Sequence, residues 1–195
     1  MGRQKYQKQI EELLKKSPVV SYNSIERVVN NKKKESQYSK QLVRNLILSG
    51  KLKKIAKGFY TIHDDPSLVV FCLNPSYLGL QDSLSQNSLW EQETIPVVIT
   101  SRKVRQGLRK INGSNVLIRA IKKEYVFGVE YKKSGSFYLP YSDVEKTLID
   151  MAYFKQKMSK EILSNIKKRI NKRKLSLYLR KYSKKMRLRV IKQIE

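Results

Sequence analysis

Four side chains close together carry chemistry that suits a nucleic acid: Gln37, Lys40, Gln41 and Arg44. A side-chain amide can bond adenine through two atoms, and a guanidinium can bond guanine in the same way. An ammonium holds phosphate as a point charge. Spacing at 37, 40, 41 and 44 puts all four on one face of a 3.6-residue period. Tyr38 and Ser39 lie between them and could bond phosphate or pack on a preceding helix. A second basic group follows at Lys51, Lys53, Lys54 and Lys57, where lysines suit phosphate contacts that position without reading sequence. A third lies at Lys167, Lys168, Arg169, Lys172, Arg173 and Lys174, a candidate second nucleic-acid surface or dock for an acidic protein.

Other residues invite an enzymatic reading and do not assemble one. His63 is the only histidine and Cys72 the only cysteine, so neither a zinc site nor an internal disulfide is expected. Asp64-Asp65, Asp143 and Glu145 sit at turns and helix starts, where capping accounts for them. No glycine-rich phosphate loop and no nucleophile elbow is present. Ser83 reads as a helix position. No catalytic residue, cofactor or metal is expected.

The elements that must position the basic groups follow from local patterning. Leu42, Val43, Leu46 and Ile47 recur as the apolar face of a helix from Ser36, opposite the four polar side chains. Gly50 ends it, where positive φ costs least. Leu52 and Ile55, with Phe59 and Tyr60, flank Lys57-Gly58 as a hairpin. Upstream, residues 3–16 read as an amphipathic helix with Tyr6, Ile10, Leu13 and Leu14 inward, stopped at Ser17-Pro18. Ser21 or Asn23 caps a short helix containing Ile25, Val28 and Val29, and Asn30 to Lys34 reads as a polar turn. Three helices and a hairpin in this order predict a winged helix-turn-helix over residues 1–65, its third helix in the major groove.

Beyond a boundary near residue 65, Ser67 to Leu73 is ambiguous by period. Tyr77 to Trp90 reads as a helix ending in a loop. Strands are predicted at Ile95–Thr100, Val116–Ile121, Tyr125–Tyr131 and Ser136–Leu139, the last after a turn at Ser134-Gly135. Asp143 caps a helix with Val144, Leu148, Met151 and Ala152 inward, and helical signal continues to the end. Tyr125, Tyr131, Tyr138 and Tyr141 lie on or near predicted strands. Such tyrosines stack bases in RNA-binding sheets, but half-buried packing explains them more simply. The expected class is α+β: an N-terminal winged helix-turn-helix, then residues 66–195 as a small antiparallel or mixed sheet with helices and a basic helical tail.

Charge narrows the partners. The 195 residues hold 42 Lys+Arg against 16 Asp+Glu, a net +26. Residues 1–65 contribute +9, residues 66–150 +3 and residues 151–195 +14. Two basic ends flank a near-neutral centre, and a polyanion such as nucleic acid relieves that self-repulsion. No apolar run approaches the ~20 residues of a bilayer span. No secretory leader or myristoylation signal is read at the N-terminus, so the expected compartment is the cytoplasm.

Four stretches together are similar to the AbiE-type antitoxin family. SGKLKKIAKGFYTI at Ser49–Ile62 resembles its wing, "G-x-L-x-R-I-x-R-G-x-Y". NPSYLGLQDSLSQNSLW at Asn74–Trp90 resembles its "P-x-S-Y-I-S-x-x-S-A-L-x-x-H-G-L" helix, and IPVVIT at Ile95–Thr100 the strand that follows. VFGV at Val126–Val129 and SDVEKTLIDM at Ser142–Met151 resemble its "F-F-G" and "P-E-K-A-L-L-D" segments. Gly79, Asp82, Asn87-Ser88 and Val144 depart from the pattern. The resemblance implies a DNA-binding transcriptional regulator, an antitoxin that represses its own operon and opposes a nucleotidyltransferase-like toxin. The second domain would then serve toxin binding, self-association as a homodimer, or both. The competing readings are an RNA-binding or ribosome-associated basic protein, and a DNA-processing enzyme without an evident site.

Overall fold

The computed structural model describes residues 2–29 and 36–194, a mixed α+β protein with two sheets. The predicted polar turn at Asn30 to Lys34 lies outside the described residues. The chain divides into two compact units: residues 1–72 with 110–114, and residues 73–109 with 115–195.

The first unit runs α1 (Gly2–Lys16), β1 (Val20–Ser21), α2 (Tyr22–Val29), α3 (Ser36–Leu48), β2 (Lys53–Ala56) and β3 (Phe59–Thr61). Ile10 and Leu14 of α1, Ile25 and Val29 of α2, Leu42, Val43 and Leu46 of α3, and Leu52 form one buried core. Of the two candidate caps for α2, Ser21 serves: its Oγ accepts from Ser24 N at 3.1 Å. The end of α3 is a Schellman turn. Gly50 has φ +71°, Gly50 N donates to Ile47 O and Lys51 N to Leu46 O, so the last carbonyls are satisfied. Gly58, at φ +76°, makes the hairpin turn. The hairpin gains a third strand that the sequence did not suggest, since β1 pairs antiparallel with β3 in the order β1-β3-β2. The ambiguous stretch is a 3-10 helix over Pro66–Cys72, with Leu68, Val69, Val70 and Cys72 buried.

The second unit carries a six-stranded mixed sheet, except for residues 110–114 at the turn between two of its strands, which fall in the first unit. Its strands are β4 (Ser76–Leu78), β5 (Val97–Thr100), β6 (Gly107–Ile111), β7 (Ser114–Ala120), β8 (Val129–Ser134) and β9 (Phe137–Ser142), in the order β6-β7-β5-β4-β9-β8. β4 pairs parallel with β9 and β5 with β7, whereas β4/β5 and β8/β9 are antiparallel. Its helices are α4 (Leu80–Gln86), α5 (Val144–Tyr153), α6 (Lys160–Arg169), α7 (Lys172–Leu179) and α8 (Lys184–Ile194).

Two expectations are corrected here. Tyr77 to Trp90 is not one helix: Tyr77 belongs to strand β4, and α4 starts only at Leu80. Gly79 is extended and packs closely, a Cβ there coming within 2.5 Å of Ile99 Cδ1, and the chain turns at Leu80, φ +56°. Tyr125 to Tyr131 is not one strand either. Lys123–Tyr125 is a 3-10 turn, and β8 begins at Val129. Gly128 has φ +65° and sits where a Cβ would meet Lys146 Cβ and the Tyr178 ring, each at 2.9 Å. The chain bends at that close approach, and the strand starts after it.

Candidate nucleic-acid interface

Amphipathicity positions the first site. Because Leu42, Val43 and Leu46 are drawn into the core, the helical period turns Gln37, Lys40, Gln41 and Arg44 outward, and all four are exposed. Asn45 and Leu48 extend the same face. Gln41 Nε2 donates to Asn45 Oδ1 at 3.0 Å, which orders two amides one turn apart. Leu48 is 75% exposed, an apolar group on a polar face.

α3 stands between two grooves. One, of about 300 Å³, is lined by Lys40, Arg44 and Leu48 of the helix, with Tyr22 from the start of α2 and Lys54 and Tyr60 from the hairpin. The other, of about 410 Å³, holds Gln41, Asn45, Tyr38 and Lys51. Lys51, Lys54 and Lys57 are exposed, and among the described residues no carboxylate pairs with them. Lys53 differs, because its ammonium is ion-paired with Asp64. The field beside α3 is therefore positive.

Tyr38 and Ser39 have structural places instead. Ser39 is fully buried, which removes it from any surface contact. The Tyr38 ring meets Tyr6 edge-on at 5.7 Å and ties α3 to α1. Asn45, Leu48, Tyr22 and Tyr60 were missed from sequence. Continuing the helical period would have found the first two; Tyr60 reaches the groove through strand pairing, and Tyr22 from the start of α2, where its N–H donates to Gly58 O at 2.7 Å.

The basic tail does not form one free surface. Lys167, Lys168 and Arg169 are exposed at the end of α6, and Arg169 Nη1 donates to Asn87 O at 2.6 Å. Lys172 and Arg173 are exposed at the start of α7. Lys174 turns inward, 3.0 Å from Asp143 and 3.4 Å from both Glu130 and Glu145. Burial alone would lower its pKa, but the hydrogen bond to Asp143 and the charges of Asp143 and Glu145 overcome that and raise it.

The polar residues of α5 face inward as well. Lys146 and Asp150 are both fully buried and ion-paired, and Tyr77 Oη donates to Asp150 at 2.7 Å. Ser83, Ser142 and Thr147 hydrogen-bond one another, with Asn87 Nδ2 donating to Ser83 O and Ser142 O. Ser83 is buried in this network, with no access for a substrate. Among the described residues no cluster of His, Cys, Asp or Glu could hold a metal ion, and no helix is long and apolar enough to cross a membrane.

No family model matches the chain, and no curated protein matches it. Among solved structures, the crystal structure of the RV2827C protein from Mycobacterium tuberculosis is similar over 97% of this chain and 76% of that one, with a TM-score of 0.60 at 13% identity. At that identity the likeness concerns the fold alone.

Proposed function

We propose that the first unit is a winged helix-turn-helix that binds duplex DNA, and that the protein is a sequence-specific transcriptional regulator. α3 enters the major groove while the hairpin of β2 and β3 follows phosphates. One observation carries this reading: the exposed amide and cation face of α3, backed by a buried apolar face and flanked by the exposed lysines 51, 54 and 57, which pair with no carboxylate among the described residues. Two amides and a guanidinium supply base readout, and the lysines supply salt-dependent affinity. The resemblance of the wing and of the 142–151 segment to AbiE-type antitoxins extends the proposal. The protein represses its own operon and opposes a nucleotidyltransferase-like toxin in the cytoplasm, with the second unit serving toxin contact or homodimerisation.

The test is binding across a salt series to three probes: the duplex upstream of its own reading frame, a random duplex, and structured RNA. The upstream duplex should bind on the order of a thousandfold tighter than the random one. Equal affinity for both duplexes would end the regulator reading. The RNA arm answers a specific feature of the second unit. Tyr131 and Tyr138 are 67% and 65% exposed, and the β8/β9 register places both on one face with Lys133. Preference for RNA, lost on replacing those two tyrosines, would move the function to that hairpin.

A further inference from the structure

The second unit has an open cleft that the duplex reading leaves unused. α7 and α8 each pack chiefly on α5 and only weakly on one another. Between them lies a space of about 410 Å³. Its apolar side chains are Leu175 and Leu179 from α7 and Ile191 and Ile194 from α8; its ionisable ones are Lys172, Arg180 and Arg187. Among the described residues, every charge lining the cleft is therefore positive.

We propose that this cleft receives an acidic amphipathic helix of a partner protein. Two features choose that occupant. The half-buried Ile191 and Ile194, beside the already buried Leu175 and Leu179, gain from burial under apolar side chains, which a phosphodiester backbone does not offer. A rim with three cations and, among the described residues, no carboxylate selects glutamate or aspartate on the flanks of that apolar stripe, and disfavours a basic helix. Two helices of the same unit with an open space between them form a trough in which a third can lie, its i, i+3, i+4 and i+7 side chains pointing down. Arg187 is already oriented for the task. Its Nε donates to Tyr182 O at 2.8 Å, so less side-chain freedom is lost on binding. The net +14 of residues 151–195 draws an acidic partner to this end of the chain. The proposal does not depend on DNA binding by the first unit.

The probe is a labelled synthetic helix with leucines at i, i+3, i+4 and i+7 and glutamates on both flanks, titrated into the full chain at physiological salt. Controls are a scrambled peptide of identical composition and one with lysine in place of each glutamate. The ordered acidic helix should bind at least ~tenfold tighter than either control. Methyl resonances of Leu175, Leu179, Ile191 and Ile194 should shift with it. Ser176→Glu places a negative charge in the cleft at an exposed position and should weaken binding at least ~tenfold with unchanged thermal unfolding. If that variant unfolds, the lysine peptide on the wild type still decides. Equal binding of the scrambled peptide would reduce the surface to diffuse charge. Competition by duplex DNA at equal total charge would make it a phosphate surface, and dimerisation lost in Ser176→Glu would make a second copy the occupant. Each of these overturns the proposal.

Discussion

Lys146 and Asp150 stand one helical turn apart on α5 as an ion pair with no exposed surface on either side chain. The Lys146 ammonium also lies 5.2 Å from the Tyr77 ring centre and 5.3 Å from that of Phe127. Burial pushes the Asp150 carboxyl up and pulls the Lys146 ammonium down, while each charge opposes the shift in the other. Removing one partner strands the other, which costs about 3–5 kcal/mol. Lys146→Met and Asp150→Leu should each lose roughly that in urea unfolding, and the pair of substitutions together should lose clearly less than the sum. Additive losses would mean that the two charges do not sustain each other.

Tyr178 gives the second unit an alkaline dependence whose sign is fixed. Burial, then its hydrogen bond to Asp143 at 2.8 Å, pushes its pKa from 10.0 up to about 12. The folded state thus keeps the phenol proton longer than the unfolded chain. The contribution is complete below pH 10 and disappears as pH climbs from 10 through about 12. Unfolding free energies of wild type and Tyr178→Phe should differ at pH 9 and converge at the top of that window. A gap constant across the window would refute the assignment.

What could be read in the chain beforehand was whatever is decided within a few residues. Gly50 and Gly58 stop α3 and turn the hairpin because positive φ is needed at those points. Asp143 accepts from Lys146 N at 2.7 Å, three residues on. Long-range partners decide the rest. Tyr77 is a strand residue because β5 and β9 flank β4, and because its hydroxyl reaches Asp150, 73 positions away. Local periodicity cannot foresee that, so it extends α4 back to Tyr77, three residues ahead of its start at Leu80. In α5 the apolar face was legible, but nothing local shows that Glu145, Lys146, Thr147 and Asp150 are buried as well. The face of α3 follows from its period, which also reaches Asn45 and Leu48, although Leu48's apolar type argues against an outward place; Ser39 is small enough to suit either side and is buried.

Arg44 is the side chain on which base preference should depend. It is exposed on α3 beside the groove shared with Lys54 and Tyr60. Arg44→Ala should cost about 1–3 kcal/mol on the preferred duplex and flatten the preference at one base position. Lys40→Ala should weaken every duplex alike. Selection from a randomised duplex pool distinguishes the two patterns, and unchanged affinity and preference in Arg44→Ala would take α3 out of the major groove.

Leu48 calls for a readout of its own. A carbon side chain 75% exposed on this face can touch the methyl group of thymine. Leu48→Ala should lower affinity for the preferred duplex, and replacing each thymine in turn by uracil should reproduce that loss at one position. The alanine protein should then ignore the uracil at that position. If uracil matters equally to both proteins, Leu48 is not the contact.

The hairpin lysines should separate by their ion pairing. Lys54 and Lys57 are exposed, whereas Lys53 is held by Asp64. Each phosphate contact releases counterions, contributing close to one unit to the slope of log affinity against log salt. Lys54→Ala with Lys57→Ala should therefore flatten the slope by about two units, equally for preferred and random duplexes. Lys53→Ala should move it less, because in the free protein the ammonium is already neutralised and must leave Asp64 before it can meet a phosphate. Slopes measured between low and physiological salt decide the matter: an unchanged slope in the double variant would remove the hairpin from the DNA.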